Sequence, residues 1–316
     1  MKKFPFFSFD KDKYFDAVFE GGGIRGIGYV GAARAFEEAG YRFRRVAGTS
    51  AGAIVAALLA SGYSAKEMHE IMTTQMDFKT FKQSTSKLGH IGMPFKMLGE
   101  LGYYSSQKFE DWLAKLLEAK GVKTFSDLKM PLKVTAADVS DIRSLVLPDD
   151  LKDFDINPDE FTVAKAVRMS MSIPVFYTPS TLKDKDGYDH DIVDGGIISN
   201  YPVWIYDNGD RHLDVPVIGF RFNTYSTKTK TKRNIFGHVG QVLATMMIAG
   251  DNARSRSNGD LQRTVYIDTK VNNVPIGITE FDISKSDVEA LYQNGYHAGQ
   301  QFLKTWDFKK WRKEFR

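Results

Sequence analysis

Cysteine is absent from the 316-residue chain, which removes disulfide frameworks, thiolate metal sites and cysteine nucleophiles together. Any covalent chemistry must fall to another residue. Long apolar runs are also lacking: the longest nearly apolar stretch, 51–62, is about a dozen residues, whereas a bilayer-spanning helix needs roughly 18 or more. Neither sign of charge dominates, because 43 basic against 39 acidic side chains leave +4. That total is too small to argue for nucleic acid, and the lysine-rich run 228–233 has no interleaved aromatics and no accompanying binding motif. No internal repeat and no Gly/Ser- or Pro-rich linker divides the chain, so one domain with excursions is the simplest organisation. The opening Met1-Lys2-Lys3 and the aromatics after it faintly resemble a signal peptide, but charge returns at 10–13 with no small-residue cleavage site. The expectation is a cytoplasmic protein, with peripheral contact at a membrane allowed.

What is present is an alternation of strand and helix patterns. Ala17-Val18-Phe19-Glu20 reads as a strand, glycines follow, and 27–40 has helical composition ending on Gly40. Arg45-Val46-Ala47-Gly48 leads to a second tight turn, after which 53–60 is apolar on every side and should be a buried helix. Further helices are expected at 64–76, 106–119, 162–169, 235–254 and 285–303. Strands are expected at 132–136, 144–147, 215–222 and 264–268, with another ending at Ile192-Val193. Such alternation predicts an α/β fold with a largely parallel sheet covered by helices. The stretch 78–104, rich in Gly, Met and aromatics, is a candidate lid.

The segment Gly21-Gly22-Gly23-Ile24-Arg25-Gly26 and its continuation to Gly31 match G-x-G-x-x-G twice. A dinucleotide site would need an acidic residue about 20 positions on, at the end of the second strand, where this chain has Gly48-Thr49-Ser50. A phosphate-binding P-loop is excluded by the missing Lys-Ser or Lys-Thr. The remaining use of such a turn is to aim free backbone N–H groups at developing negative charge. Arg25 adds a positive charge at its mouth, or is simply a solvated surface arginine.

Gly48-Thr49-Ser50-Ala51-Gly52 is G-x-S-x-G standing between a strand and an apolar helix, the context a nucleophile elbow demands. The helix behind Ser50 adds its N-terminal partial charge and the Ala51 N–H. A serine needs a base, usually histidine. None of the six histidines, His69, His90, His190, His212, His238 and His297, lies in a motif that announces a triad. Asp194 ends a strand and is followed by Gly195-Gly196. That arrangement stands a carboxylate at the strand end where open α/β sheets place their sites; a plain turn aspartate is the alternative.

These blocks in this order, with Ser170-Met171-Ser172-Ile173-Pro174 and Ile198-Ser199-Asn200-Tyr201-Pro202, resemble the patatin-like phospholipases. The resemblance is specific over 14–205, a catalytic core with the excursion at 78–104, and generic over 206–316, the remainder of the same domain. It departs from the family's usual pattern in the Met-rich block before Pro174. The resemblance implies a three-layer sandwich with a mostly parallel central sheet, and a serine lipid acyl hydrolase of phospholipase A or lysophospholipase type. Ser50 would be the nucleophile and Asp194 its base in a Ser–Asp dyad. The oxyanion hole would be Gly22, Gly23 and Ile24, with Ala51 contributing from the elbow helix. Arg25 would brace the loop or meet a phosphate head group, and no metal or diffusible cofactor would be required. Two other readings stay open: a Ser–His–Asp esterase drawing on His212, His238 or His297, and a catalytically silent lipid-binding module. The basic and aromatic tail 305–316 either meets an anionic membrane or packs its aromatics on the domain. Phe95, Met97, Leu98, Leu101, Tyr103 and Tyr104 either line an acyl pocket or are core.

Overall fold

The computed structural model describes residues 13–74, 102–104, 106–207, 214–223, 257–278 and 283–315, with isolated positions at 225, 242, 245, 246 and 280. The candidate lid lies outside the described residues except for its last three, and so do the lysine run 228–233 and nearly all of the expected helix 235–254.

The strand and helix expectations hold along most of the described chain, with ends moved by a few residues. In order the elements are β1 (Tyr14–Phe19), a 3-10 turn (Gly23–Gly26), α1 (Ile27–Glu38), β2 (Arg42–Thr49), α2 (Ala51–Ala60), α3 (Ala65–Thr74), β3 (Gly102–Tyr104), α4 (Gln107–Ala119), β4 (Leu132–Asp138) and β5 (Arg143–Leu147). There follow α5 (Val163–Ser170), β6 (Val175–Tyr177), β7 (Ser180–Lys183), β8 (Asp189–Asp194) and β9 (Val217–Phe222). The chain continues through α6 (Asn258–Gln262), β10 (Thr264–Ile267), β11 (Lys270–Val271), β12 (Val274–Pro275), α7 (Lys285–Thr305) and α8 (Phe308–Phe315).

Strands β10, β9, β1, β2 and β4 run parallel, side by side in that order. Their interior members are buried on both faces: every residue of β9, and all but the first of β1, is shielded from solvent, as parallel sheets covered by helices require. Beyond β4 the sheet becomes mixed, since β5 and β8 are antiparallel to β4 and β7 is antiparallel to β8.

Register around β4 positions the site. A strand residue has two neighbours, one on each side. Thr135 pairs with Thr49 of β2 and Val146 of β5, and the next residue, Ala136, pairs with Leu145 of β5 and Asp194 of β8. Because β5 keeps one side throughout, β2 and β8 share the other. They meet end to end, β2 finishing at Thr49 and β8 arriving from the opposite direction at Asp194.

The main core joins one sheet face to α1, α2, α3 and α5, and all ten residues of α2 are buried. The opposite face, through Val18, Ala47 and Val217, packs against Tyr201, Val203, Ile205, Tyr206 and Trp311. The result is three layers. Trp311 is buried in α8, with its indole N–H donating to the Gly259 carbonyl at 2.8 Å, while Lys309, Lys310, Arg312 and Lys313 face solvent. Of the two readings of the tail, its aromatics take the packed one. No described helix is long and apolar enough to cross a membrane.

Candidate active site

Ser50 sits in the turn between β2 and α2 at φ 51°, ψ −121°, a conformation a non-glycine residue adopts only under constraint. The constraint is visible on both sides. A Cβ on Gly52 would lie 2.4 Å from the Phe19 carbonyl oxygen, and one on Gly48 would lie 2.3 Å from Gly52 carbonyl atoms. Strand and helix therefore touch backbone to backbone, and the turn between them has one available shape. The Ser50 N–H donates to Ser170 Oγ at 2.8 Å. Its carbonyl accepts from Ala53 and Ile54, starting α2.

Asp194 ends β8 with 1% of its surface exposed. Its N–H donates to the Ser172 carbonyl at 2.9 Å, and its Oδ1 accepts the Gly196 N–H at 2.8 Å. Burial pushes the carboxyl up to about 6, and hydrogen bonding from Gly196 and from the Ser50 side chain offsets part of that rise. Oδ2 has no fully formed hydrogen bond among the described residues. One carboxylate oxygen is thus fixed by the backbone while the other remains as an acceptor, in a carboxyl group close enough to feel the serine hydroxyl.

The glycine turn forms the third side. Glu20, buried at the end of β1, accepts Arg221 Nε and the Phe222 N–H, each at 2.9 Å. Gly21 exchanges bonds with Asn200: its N–H donates to the Asn200 carbonyl at 2.9 Å, and Asn200 Nδ2 donates to its carbonyl at 3.2 Å. Gly23 then turns at φ +57°, with Ile278 so close that a Cβ would lie 2.0 Å from its carbonyl oxygen. Among the described residues no hydrogen bond takes up the N–H groups of Gly22, Gly23 or Ile24. Arg25 is half-buried; its Nε donates to the Gly22 carbonyl at 3.1 Å and its guanidinium lies 4.8 Å from the centre of the Phe222 ring. Burial lowers its pKa.

The cleft before Ser50 has a volume of about 810 Å³ with its open mouth included. Gly23, Ile24, Ser50 and Ala51 form its floor, and Ile54, Phe109, Met171 and Val288 are among its apolar walls. Among the described residues no histidine lines it. His297 is exposed on α7, His69 bonds Glu289, and His190 is held 2.9 Å from Asp138 Oδ2; His90, His212 and His238 lie outside the described residues. Asp138, Asp141 and His190 bring potential metal-ligand atoms within 4.8 Å of one another. Arg143 Nε, 3.6 Å from Asp138 Oδ2, already supplies positive charge there, so the cluster works as an ion-pair network.

Gly23 and Ile24 of the glycine turn meet Ser50 and Ala51 of the elbow on one cleft floor; Asp194 lies behind it within reach of the Ser50 hydroxyl, and Gly22 precedes Gly23 on the turn without lining the cleft. Sequence reasoning gave no role to Ser170 or Asn200. Both lie in the two blocks that carried the family resemblance, which was the available signal. The turn Gly196–Ser199 after Asp194 ties the parts together, since the Ser199 carbonyl accepts Thr49 Oγ1 at 3.2 Å and Asn200 clamps Gly21. Ser170→Ala should leave the Ser50 N–H buried and unpaired, costing about 1–3 kcal/mol of stability. Thermal melts should register that loss, and kcat should fall more than KM rises because the elbow is loosened.

An open, mostly parallel sheet bearing a strained serine elbow beside a buried carboxylate places the molecule among α/β proteins with nucleophile-elbow architecture. The family described as patatin-like phospholipase matches residues 17–206, and the chain belongs to that family, whose members are lipid hydrolases. It is 40% identical over 304 residues to the Bacillus subtilis (strain 168) protein YqhO, covering 93% of this chain and all of that one; the relative's name assigns no activity. Among solved structures, VipD from Legionella pneumophila superposes with TM-score 0.57 at 18% identity, over 93% of this chain and 67% of VipD. The type III effector ExoU, of Pseudomonas aeruginosa, gives 0.52 at 16% identity, over 92% of this chain and 53% of ExoU. The chain therefore spans about half the length of ExoU, and these two likenesses establish the fold.

Proposed function

We propose that this chain is a serine lipid acyl hydrolase of phospholipase A or lysophospholipase type, cleaving carboxylic esters of lipids through an acyl-enzyme on Ser50. The observation that carries the reading is the Asp194 carboxyl, 1% exposed, within hydrogen-bond reach of the Ser50 hydroxyl at the base of a cleft that no described histidine lines. As Ser50 Oγ attacks the ester carbonyl carbon, Asp194 takes the hydroxyl proton. The negative charge passing to the carbonyl oxygen meets the N–H groups of Gly22, Gly23, Ile24 and Ala51. Collapse of that intermediate breaks the ester C–O bond, and Asp194 returns the proton to the departing alcohol. Water then attacks the acyl-enzyme by the same route in reverse, releasing a fatty acid and free Ser50. Arg25 stiffens the oxyanion loop and leaves a positive charge at its edge. The apolar walls suit an acyl chain.

A fluorophosphonate probe on the folded protein tests the nucleophile: wild type should be modified at Ser50, and Ser50→Ala should take up no label. Fatty-acid release from phospholipid vesicles by wild type, absent in Ser50→Ala, tests the reaction; release by neither protein would return the chain to the lipid-binding reading.

The base must be ionised to work, and its carboxyl titrates near about 6. With a dissolved short-chain ester, kcat/KM should therefore rise with pH through a midpoint near that value and level off above it. A profile flat from pH 4 to 8 would remove Asp194 from the role.

A further inference from the structure

Three turns stand on the same side of the sheet as the cleft. The β4–β5 turn carries Val139 and Ile142, 45% and 87% exposed; the β7–β8 turn carries Tyr188, 71% exposed; the β11–β12 hairpin carries Val274, 61% exposed. Nine large apolar side chains are exposed among the described residues, and these four are concentrated on the turns that flank the site. Because β4 continues past the end of β2, and β8 descends from beyond it to Asp194, the first two turns rise above the level of Ser50. Counted along the strands, Ile142 and Tyr188 lie roughly 10 and 20 Å past Asp194. On the other side, β10 feeds the β11–β12 hairpin, and the chain leaving that hairpin brings Ile278 against Gly23. Apolar tips therefore straddle the oxyanion loop.

Hydrogen bonds brace the first two of these turns. Asp138 Oδ1 accepts the N–H groups of Ser140 and Asp141, the Val139 N–H donates to the Asp191 carbonyl, and His190 bridges Asp138 and Asp184, joining the two turns. Ile142 is kept at φ 54°, a conformation especially unfavourable for a β-branched residue. Strain maintained in order to present an isoleucine to solvent points to a use for that side chain.

We propose that these turns are an interfacial anchor, inserting Val139, Ile142, Tyr188 and Val274 into the surface of a lipid layer so that the cleft mouth is set against it. Separate apolar tips on both sides of an apolar cleft fit a continuous fluid medium. A protein docked across them would block the cleft. Counting the strand ends of all three turns and leaving out the buried Asp138, Asp141, Asp184, Asp186 and Asp189 are matched by Arg143, Lys183, Lys185 and Lys270, so no basic excess selects an anionic layer and the surface that fits is zwitterionic. The inference rests on the lipid-substrate reading above.

The test uses the full chain and phosphatidylcholine vesicles, measuring sedimentation with the vesicles, lipid hydrolysis, and hydrolysis of a dissolved short-chain ester. Ile142→Asn suits the backbone, since asparagine tolerates positive φ, and should not lower the melting temperature. Combined with Tyr188→Ser it should cut vesicle binding and vesicle hydrolysis at least tenfold and leave the dissolved ester untouched. Val274→Ser should weaken binding as well, and Leu261→Ser, an exposed control on α6, should bind as wild type. Wild type failing to sediment, tip variants binding like wild type, or a loss of binding that tracks a change in oligomeric mass would each overturn the proposal. Loss of the dissolved-ester activity in wild type itself would instead overturn the catalytic reading, and the sedimentation result would still decide the anchor.

Discussion

Asp194→Asn should lower kcat by about 10⁴-fold, the upper end for loss of a general base, and at pH 8 should make the protein harder to melt. The two effects share a cause. The folded carboxyl titrates near about 6 instead of its ordinary 3.8 because it is buried. Between those values the native state holds more protons than the unfolded chain, so the carboxyl's contribution to stability falls as pH rises and stays low above about 6. Two pH units correspond to roughly 3 kcal/mol. Asparagine carries no charge to bury, and its amide oxygen can still accept the Gly196 N–H. Calorimetry should find the variant more stable than wild type at pH 8, with the gap closing toward pH 4. Equal stability at both pH values would show that burial does not raise the folded carboxyl, and a variant that retains wild-type turnover would remove Asp194 from the chemistry.

Gly23→Ala should cost about 10²–10³ in kcat, the magnitude seen when one oxyanion donor is lost. The residue sits at φ +57° with the Ile278 backbone carbonyl where a methyl would go, and trimming the Ile278 side chain cannot relieve a clash with backbone. The loop must shift, carrying the N–H groups of Gly23 and Ile24 with it. Gly40 supplies the control: its φ is +81° and nothing lies within 4 Å of where a Cβ would stand. Gly40→Ala should lose on the order of 1 kcal/mol of stability from the left-handed backbone alone, with kcat unchanged. Steady-state kinetics on a dissolved ester, paired with thermal melts, separates the two. Equal activity in both variants would show that the glycine turn does not hold the oxyanion.

The parts of the site were legible because each is a local solution to a local problem. A serine forced into a tight strand-to-helix turn needs small neighbours, which wrote Gly48, Ala51 and Gly52 into the chain. Amides that must stay free need a turn like that at Gly23. Asp194 was legible as a strand-end carboxylate before a glycine pair. The strand and helix patterns were legible for the same reason, since burial on one face or all faces leaves a period in the sequence.

The supports were not legible. Ser170 reaches the Ser50 N–H across 120 positions, and Asn200 reaches Gly21 across 179; a serine or an asparagine carries no local mark of such a task. Histidines were harder still, since nothing around His190 in sequence announces that it would be tied to Asp138. For the tail, composition alone left two readings, and the buried face of Trp311 settled where its aromatics go.

By itself the sequence determined the chemistry on offer: a hydroxyl in an elbow, amides in a glycine turn, a carboxylate at a strand end, and no thiol. Tertiary structure alone decided that these meet. Thr135 and Ala136 are adjacent on one strand, one pairing with the end of β2 and the other with the end of β8, so the serine and the aspartate are brought together by the register of a third strand. Pairing register is set by how whole strands pack against a common core, a property that belongs to no single segment of the chain.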